Sequence, residues 1–340
     1  MSPNYVGIDV GADTFVCSIF SATDVVPQTS GEFANTPEGF IALEKWLNDR
    51  QSPDDSIVCL EATGVYGEML CYWLAAKGYR LAVEPPLKVK RAFKVKGHKN
   101  DRIDSRQIAE YAYRYQDQLN FWQPRSELVE QMAVLLATRE QFVQQRTASI
   151  NARKALKRKV VQTQLANQLY DDNIEHLSEN IAAIEDEIKT LIAKNPDFRQ
   201  LVAWLDSIPA VGLLLAANTL VLTNGFAHRE HIQYRKMAAH IGICPYEHSS
   251  GTSVHGRTTA LNQGPARMRK LLHLAARSLR THHSEFRAYF ERKRAEGKDP
   301  QLILNNIANK LLKIMCAIIR TQKPYIKGYV SINPIFVKNA

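Results

Sequence analysis

The sequence predicts an α/β domain followed by a largely helical second half. Short apolar runs alternate with helical patterns over roughly the first third of the chain, which is typical of a layered α/β domain. From Ser126 to about Lys194 there is no glycine or proline, and the helical periodicity is long. The later part contains further apolar and basic helical patterns, so we expect it to be mostly helical.

The first domain contains four predicted strands and the helices between them. The strands are predicted near Tyr5–Val10, Thr14–Phe20, Ser56–Leu60 and Arg80–Val83. Asn35 and Thr36 are available as caps for a helix that begins near Pro37, and a second helical pattern runs from Ile103 to Tyr115.

The long central segment predicts two helices, and the second has a heptad seam. Apolar residues recur at alternating spacings of three and four, which is typical of a coiled coil. Such a seam needs a partner, either the preceding helix or another subunit. The seam residues are Ile174, Leu177, Ile181, Ile184, Ile188 and Leu191.

Composition indicates an anionic partner. The 340 residues carry a formal net charge of +10, which favours nucleic acid and, more weakly, a membrane surface. No uninterrupted apolar stretch approaches the roughly 20 residues that span a bilayer, and no signal segment begins the chain, so the protein is expected to be cytoplasmic. Five cysteines without close pair spacing imply no disulfide framework.

Four acidic residues predict a metal site. Asp9 and Glu61 each end an apolar strand, and Asp101 and Asp104 lie three residues apart at the start of a helix, so this pair shares one helix face. Carboxylates without matching His or Cys ligands favour Mg²⁺ over zinc, and two such ions suit phosphoryl transfer. For Asp101 and Asp104 alone, a structural place at a helix N-terminus is equally compatible with the sequence.

Basic residues adjoin these acids and recur farther along the chain. The stretch from Lys88 to Arg102 leads directly into the acidic pair and could hold a phosphate backbone. Other basic residues could line nucleic acid or merely keep helices soluble. The candidate nucleic-acid contacts are Lys94, Lys96, Lys99, Arg102, Arg153, Lys157, Arg257 and Arg269.

Two segments of the second half carry weaker signals. Ser207 to Gly212 before an apolar helix is similar to the turn of a helix-hairpin-helix unit, although a plain tight turn explains it equally well. Tyr246 to Ser253 is a hydroxyl-rich segment that we expect to be a loop near arginines, a combination that suits phosphate. Serines in such loops are most often turn residues.

Five motifs in order resemble the DEDD transposases and invertases of the insertion-sequence-110 family, which includes the Piv invertases and the RNA-guided bridge recombinases. The resemblance spans nearly the whole chain. The motifs are Gly7-Ile8-Asp9, Glu61-Ala62-Thr63-Gly64-Val65-Tyr66, Lys99-Asn100-Asp101-Arg102-Ile103-Asp104, Ile208-Pro209-Ala210-Val211-Gly212 and Ser250-Gly251-Thr252-Ser253-Val254.

The resemblance implies three regions: a RuvC-like, ribonuclease-H fold domain over residues 1–122, a coiled-coil segment over 123–200 and a small transposase domain over 201–340. It implies that Asp9, Glu61, Asp101 and Asp104 hold Mg²⁺. It also implies that Ser250 is a nucleophile that links transiently to a DNA phosphate, with adjacent Ser249 and nearby Ser253 as alternatives. The active site would then be composite, with subunits of a dimer or tetramer contributing to it.

The function implied by the resemblance is site-specific DNA cleavage and rejoining. Many family members choose donor and target DNA with a noncoding RNA, whereas Piv proteins invert a segment between defined sites. The sequence departs from the commonest motifs at Asn100, Arg102, Ile103 and Ser105, and near the serine at His255, Thr258 and Thr259.

Two other classes of function compete with this interpretation. Gly7-Ile8-Asp9-Val10-Gly11 also resembles the first phosphate loop of sugar kinases and chaperone ATPases, but no second glycine-rich acidic loop follows in the later half. A non-catalytic DNA-binding protein with structural acids is the third possibility.

Overall fold

The computed structural model describes residues 4–20, 29–50, 56–62, 64–93, 100–161, 163–227, 229–250, 254–260 and 264–327. These residues form two compact units, 1–124 and 125–340. Lys94, Lys96, Lys99 and Ser253, which the sequence singled out, lie outside the described residues.

The first unit is built on a mixed five-stranded sheet. Its strands are β1 (Asn4–Val10), β2 (Thr14–Phe20), β3 (Thr29–Ala34), β4 (Ser56–Glu61) and β5 (Arg80–Glu84), in the spatial order β3-β2-β1-β4-β5. Strand β2 pairs antiparallel with both β1 and β3, whereas β1, β4 and β5 are parallel. The helices are α1 (Pro37–Asn48), α2 (Glu68–Ala76), α3 (Pro86–Ala92) and α4 (Asp101–Arg114).

Alternating strand residues divide the core of this unit between the two faces of the sheet. Residues such as Val6, Ile8 and Val58 pack with apolar residues of α1 and α2. Tyr5 and Cys59 point the other way and pack with Ile108, Ala109 and Tyr111 of α4. This alternation follows from the two-residue period of a strand.

The predicted α/β class is confirmed, with differences at the edges of the sheet. Strand β3 was not predicted, because its sequence TSGEFA lacks a run of apolar residues; it lies at the sheet edge, where fewer side chains need burial. Strand β5 ends at Glu84, one residue later than expected. Helix α1 begins where predicted, with the Thr36 hydroxyl accepting a hydrogen bond from the Gly39 amide.

In the second unit, two long helices form an antiparallel hairpin, α5 (Glu127–Leu156) and α6 (Gln164–Lys194). Polar side-chain contacts between the two helices show this antiparallel arrangement, because the sequence separation of the partners grows with distance from the segment that joins α5 to α6. Arg153 forms a bidentate ion pair with Asp171, Asn173 donates to Ser149, and Arg139 pairs with Glu185. The predicted seam includes buried Leu177, Ile181, Ile188 and Leu191. The coiled coil remains a prediction.

The remaining helices pack around one apolar core together with the first turns of α5 and the last turns of α6. They are α7 (Pro196–Asp206), α8 (Leu213–Leu222), α9 (Tyr234–Ile241), α10 (Ala266–His282), α11 (Ser284–Ala295) and α12 (Pro300–Thr321). Buried Met132 from α5, Ile188 from α6, Leu272 from α10 and Leu311 from α12 belong to the same cluster.

Part of the segment expected to be a hydroxyl-rich loop is instead a β-hairpin. Strand β6 (Pro245–Ser250) pairs antiparallel with β7 (Val254–Ala260), with a register irregularity between Tyr246 and His248. The prediction of a loop was wrong for residues 246–250 because pairing with β7 decides their conformation, whereas serines alone favour turns. The turn after Ser207 joins α7 to α8, with Ala210 at a φ of 64°; a helix-hairpin-helix unit remains a prediction.

By length and composition alone, α12 is the single helix among the described residues that could cross a membrane. Ten of its residues are buried within the second unit, and they belong to the shared apolar core. Its hydrophobicity is therefore accounted for by packing inside this unit.

Candidate functional site

Asp9 and Glu61 occupy neighbouring positions at the carboxyl ends of two parallel strands. Ile8 of β1 pairs with Leu60 of β4, and each acid follows its paired residue directly. Adjacent strands lie about 5 Å apart. Both acids are half-buried, and both contact other residues. The sheet thus brings together two acids that are 52 positions apart in the sequence.

Both acids lie on the sheet face that α4 covers. Asp9 is four residues after Tyr5, and Glu61 is two residues after Cys59, and these two residues pack against α4. The negative charges of Glu84 and Glu61 add to burial in raising the pKa of the Cys59 thiol, which agrees with a shared face.

Helix α4 runs antiparallel to β1, so its first turn lies toward Asp9. At the far end of the helix, the Tyr5 hydroxyl donates to Gln116 at 2.6 Å, and the Tyr5 ring meets Tyr113. Midway, a Cβ on Gly7 would collide with the backbone of Ser105 and Ala109. Because the contacts move toward the start of α4 as β1 advances from Tyr5 to Gly7, the residues after Gly7 approach those before Ser105. Asp101 and Asp104 occupy that first turn, Asp101 exposed and Asp104 half-buried.

Neither of these two acids caps the helix. The side chain of Asn100 accepts a hydrogen bond from the Ile103 amide at 2.8 Å, which is the N-cap contact. Asn100, noted in the sequence as a departure from the commonest motif, therefore leaves both carboxylates available for another role. Arg102 is exposed in the same turn.

Buried hydroxyls attach this turn to the sheet. The Ser105 Oγ lies 2.7 Å from the Ser18 Oγ, which lies 2.9 Å from the Ser30 Oγ. Ser18 and Ser105 are both fully buried, so their hydrogen bonds fix the register of α4 on β2. The sequence did not predict this hydrogen bond, because nothing local indicates that a serine on a strand will pair with a serine on a helix.

A fifth carboxylate, Glu84, was also missed. It ends β5 in register with Glu61 and points to the same sheet face, and only 2% of its surface is exposed. Its Oε2 accepts a hydrogen bond from Lys88 Nζ at 2.9 Å, whereas its Oε1 has no hydrogen-bond partner within the described part of the chain. Burial alone would lower the pKa of Lys88, yet its contacts with Glu84 and Tyr111 raise it above the usual value.

The donor chemistry at this end of the sheet fits a divalent metal. All the candidate ligands are carboxylates, the ligands that hard cations prefer, and the unpartnered buried Oε1 of Glu84 has unsatisfied acceptor capacity. In the rotamers of this structure, the described residues provide no group of three or more acidic, His or Cys side chains close enough to hold an ion. The backbone thus places the acids at one end of the sheet, and binding a metal requires their side chains to converge.

The predicted serine lies in the second unit, at the end of β6. Ser250 pairs with Val254, and Ser249 pairs with His255, so both serines are at the tip of the hairpin. Arg257 lies on β7. The structure thus places this segment on a defined hairpin.

The structure shows the local contacts of two predicted nucleic-acid-binding residues in the second unit, Arg269 and Arg153, and the place of a third, Lys157. Arg269 donates to the carbonyls of Ile241 and Gly264, at 2.9 and 3.0 Å, and so ties α10 to the end of α9 and to the residue that precedes Pro265. Arg153 is held by Asp171, and exposed Lys157 caps the end of α5. Their contacts with nucleic acid remain predictions.

Two transposase family models match two successive segments of the chain. Residues 6–161 match the DEDD transposase family of IS110, and residues 202–291 match the transposase family IS116/IS110/IS902. The chain belongs to the DEDD family of IS110 transposases and Piv-type invertases, enzymes that cut and rejoin DNA. Membership implies dependence on a divalent metal.

Relatives match over different lengths. The pilin gene-inverting protein of Moraxella lacunata is 28% identical over 96% of this chain and 99% of its own length, and that of Moraxella bovis matches equally. The transposase for insertion sequence element IS1111A of Coxiella burnetii is 27% identical over 68% of this chain and 69% of its own length.

Among solved structures, T. thermophilus RuvC in complex with a Holliday junction substrate is 11% identical. It covers 35% of this chain and 99% of that chain, with a TM-score of 0.29.

Proposed function

We propose that the protein is a magnesium-dependent DNA recombinase of an insertion sequence, with a RuvC-like, ribonuclease-H fold in its first unit. The observation that supports this most directly is the pairing of Ile8 with Leu60, because it makes Asp9 and Glu61 neighbours on the face that carries the first turn of α4. Asp9, Glu61, Asp101 and Asp104 would hold the metal, which would position the scissile phosphate. Bound Mg²⁺ would neutralise charge on the attacking and leaving oxygens.

Ser250 supplies the nucleophile in this proposal. Its hydroxyl oxygen forms a bond to phosphorus while the bond from phosphorus to a deoxyribose oxygen breaks, and the proton lost by the serine balances the one gained by the leaving hydroxyl. Attack by a hydroxyl of the recipient strand then reverses these changes and frees the serine. The match of residues 202–291, which include Ser250, to a transposase family supports this assignment.

Two substitutions test the two halves of this assignment. Asp9→Asn should abolish strand cleavage in the presence of Mg²⁺ and keep DNA binding, because it removes charge from the predicted metal site. Unchanged recombination would contradict the catalytic assignment and indicate a DNA-binding protein with structural acids.

Ser250→Ala should bind DNA and form no covalent protein–DNA species. Persistence of that species would move the nucleophile to Ser249 or Ser253.

Two biological settings fit the same chemistry. A transposase is supported by the transposase families that match both parts of the chain, and we propose that a noncoding RNA guides it. A Piv-type invertase acting on defined sites is supported by the pilin gene-inverting proteins, which match over nearly their whole length. In either setting, we propose a cytoplasmic homo-oligomer that acts on donor and target DNA.

Sequencing the nucleic acid that copurifies with the protein distinguishes the two. The protein is expressed from its native locus with its flanking DNA. A discrete RNA encoded beside the gene identifies an RNA-guided transposase. Activity on defined sites without such an RNA identifies a Piv-type invertase.

A further inference from the structure

Helix α12 carries cations along the face that it does not bury. Lys310, Lys313 and Arg320 are exposed, while ten other residues of the helix face the core. Spacings of three and seven residues place these three cations on one side of the helix. They extend over about 15 Å of helix axis. Residues 300–321 lie beyond both family matches, which end at residues 161 and 291.

Neighbouring helices add two more cations and two aromatic rings. Lys310 Nζ lies 3.6 Å from the centre of the Tyr289 ring on α11, and the Arg292 guanidinium lies 5.7 Å from the same centre. Lys313 lies 5.8 Å from the centre of the Tyr234 ring on α9. We refer to Arg235, Arg292, Lys310, Lys313 and Arg320 as the α12 basic band.

Two open depressions of about 340 Å³ each follow this band. Arg235, Lys313 and Arg320 line the first. Lys310, Lys313 and Tyr289 line the second, together with one carboxylate, Glu285. Lys313 is common to both, so the depressions form one continuous basic surface. A phosphate group is small enough to enter either.

Carboxylates of the described residues do not pair with the cations of the band. In the described part of the chain, none of its five cations forms an ion pair, whereas Arg139, Arg153 and Lys270 each have a carboxylate partner. Burial lowers the pKa of Lys310, and the positive charges of Arg292, Lys293 and Lys313 lower it further. Arg292, Lys293 and Lys313 therefore lie close enough to Lys310 for their positive charges to act on its ammonium group. An anion at the surface would relieve this repulsion.

We propose that the α12 basic band, whose residues include none of the predicted carboxylates or serines, binds the phosphodiester backbone of duplex DNA. Several unpaired cations along one face match a polyanion better than a single small ion. The tyrosine rings already contact cations, so the band presents charge to a backbone and little free ring surface on which unpaired bases could stack. Only the identity of the polyanion rests on the function proposed above.

The test measures how DNA affinity depends on salt. The band variant carries Lys310→Gln, Lys313→Gln and Arg320→Gln in the full-length protein. The control carries Lys189→Gln, Lys194→Gln and Arg199→Gln, which remove the same charge from exposed positions on α6 and α7. Binding of a fluorescent DNA duplex is followed by anisotropy over a range of salt concentrations. The slope of log Kobs against log salt should become shallower by about 2 to 3 in the band variant and change little in the control.

Equal slopes in the two variants would overturn the proposal, since the effect would then be one of net charge. A change of slope for a structured RNA but not for the DNA duplex would also overturn it and assign the band to RNA. Circular dichroism and thermal unfolding exclude misfolding as the cause. The charge-conserving variant Lys310→Arg, Lys313→Arg and Arg320→Lys should restore the slope. This slope needs no cleavage, so its outcome is independent of whether Asp9→Asn abolishes recombination.

Discussion

At the scale of single residues, Asp9 and Glu61 could be located from sequence because an acid that ends an apolar strand is visible in a short window. Glu84 could not, although it also ends a strand. Its significance depends on its register with Glu61 and on its burial, and neither is encoded locally. The same is true of Ser18 and Ser105, which become partners only when α4 packs on the sheet.

Glu84→Gln should weaken divalent-metal binding. The substitution keeps the shape of the side chain and removes a negative charge beside Glu61, on the face shared with Asp9. Groups that orient or supplement metal ligands typically change affinity by about 10-fold to 100-fold. Mn²⁺ binding to the full-length protein, followed by electron paramagnetic resonance, measures the effect.

The matched control for this substitution is Glu44→Gln. Glu44 belongs to the same unit and pairs with a lysine, Lys77, at 2.9 Å, but it lies on α1 on the opposite face of the sheet. Its loss should leave Mn²⁺ affinity unchanged. If Glu84→Gln lowered only the unfolding temperature and bound Mn²⁺ as tightly as the control, Glu84 would be a structural partner of Lys88 and nothing more.

At the scale of elements, the helices with strong periodicity were predictable, and the polar strands were not. The two long helices begin directly after Ser126 and end at Lys194, which are the bounds of the segment without glycine or proline. Strand β3 and the β6–β7 hairpin are rich in small and hydroxyl residues, and pairing with a neighbouring strand decides their conformation. The antiparallel course of α4 over β1 also depends on tertiary packing.

Gly7→Ala should displace α4 and disable the candidate site. A methyl group at Gly7 meets the backbone of Ser105 and Ala109, and neither can move without shifting the helix. Overpacking of this kind costs about 1 to 3 kcal/mol or more in the free energy of unfolding. Because the first turn of α4 carries Asp101 and Asp104, Mn²⁺ affinity and cleavage should fall together with the unfolding temperature.

Gly67→Ala provides the comparison within the same unit. A methyl group there would meet side chains of Leu60 and Val10 only at 3.9 and 4.0 Å, an ordinary contact distance. Stability and cleavage should therefore remain close to those of the unsubstituted protein. A Gly7→Ala protein that matched Gly67→Ala in both measurements would show that α4 does not rest directly on Gly7.

At the scale of the whole molecule, the family resemblance implied a coiled-coil segment over residues 123–200 and a further domain over 201–340, and this division stays a prediction. In the structure, the first turns of α5 and the last turns of α6 share an apolar core with α7 to α12. Val129 and Ile188 are fully buried there. Local patterns show which face of a helix is apolar, but they do not identify which elements cover that face.

Apolar residues near the connection between α5 and α6 are exposed among the described residues. Val161, Leu165 and Leu169 are 84%, 70% and 60% exposed, respectively. Leu165 and Leu169 lie four residues apart in the first turns of α6, so they share one face of the helix. Exposed apolar surface of this kind is costly in water and is typical of an interaction surface. A second copy of the chain is the partner that fits the proposed homo-oligomer.

Leu165→Gln combined with Leu169→Gln should therefore reduce the mass of the particle in solution, measured by light scattering over a range of protein concentrations. The expected change is a shift toward monomer with the helical content retained, since neither side chain contributes to the core of its own unit. Val134→Gln is the control. Val134 is 63% exposed, but it lies near the start of α5, far along the helix from the connection to α6. An unchanged mass in the double variant, or an equal loss in the control, would assign assembly to another surface. If dissociation also abolished recombination while duplex binding persisted, assembly would be a requirement of the reaction and not of DNA recognition.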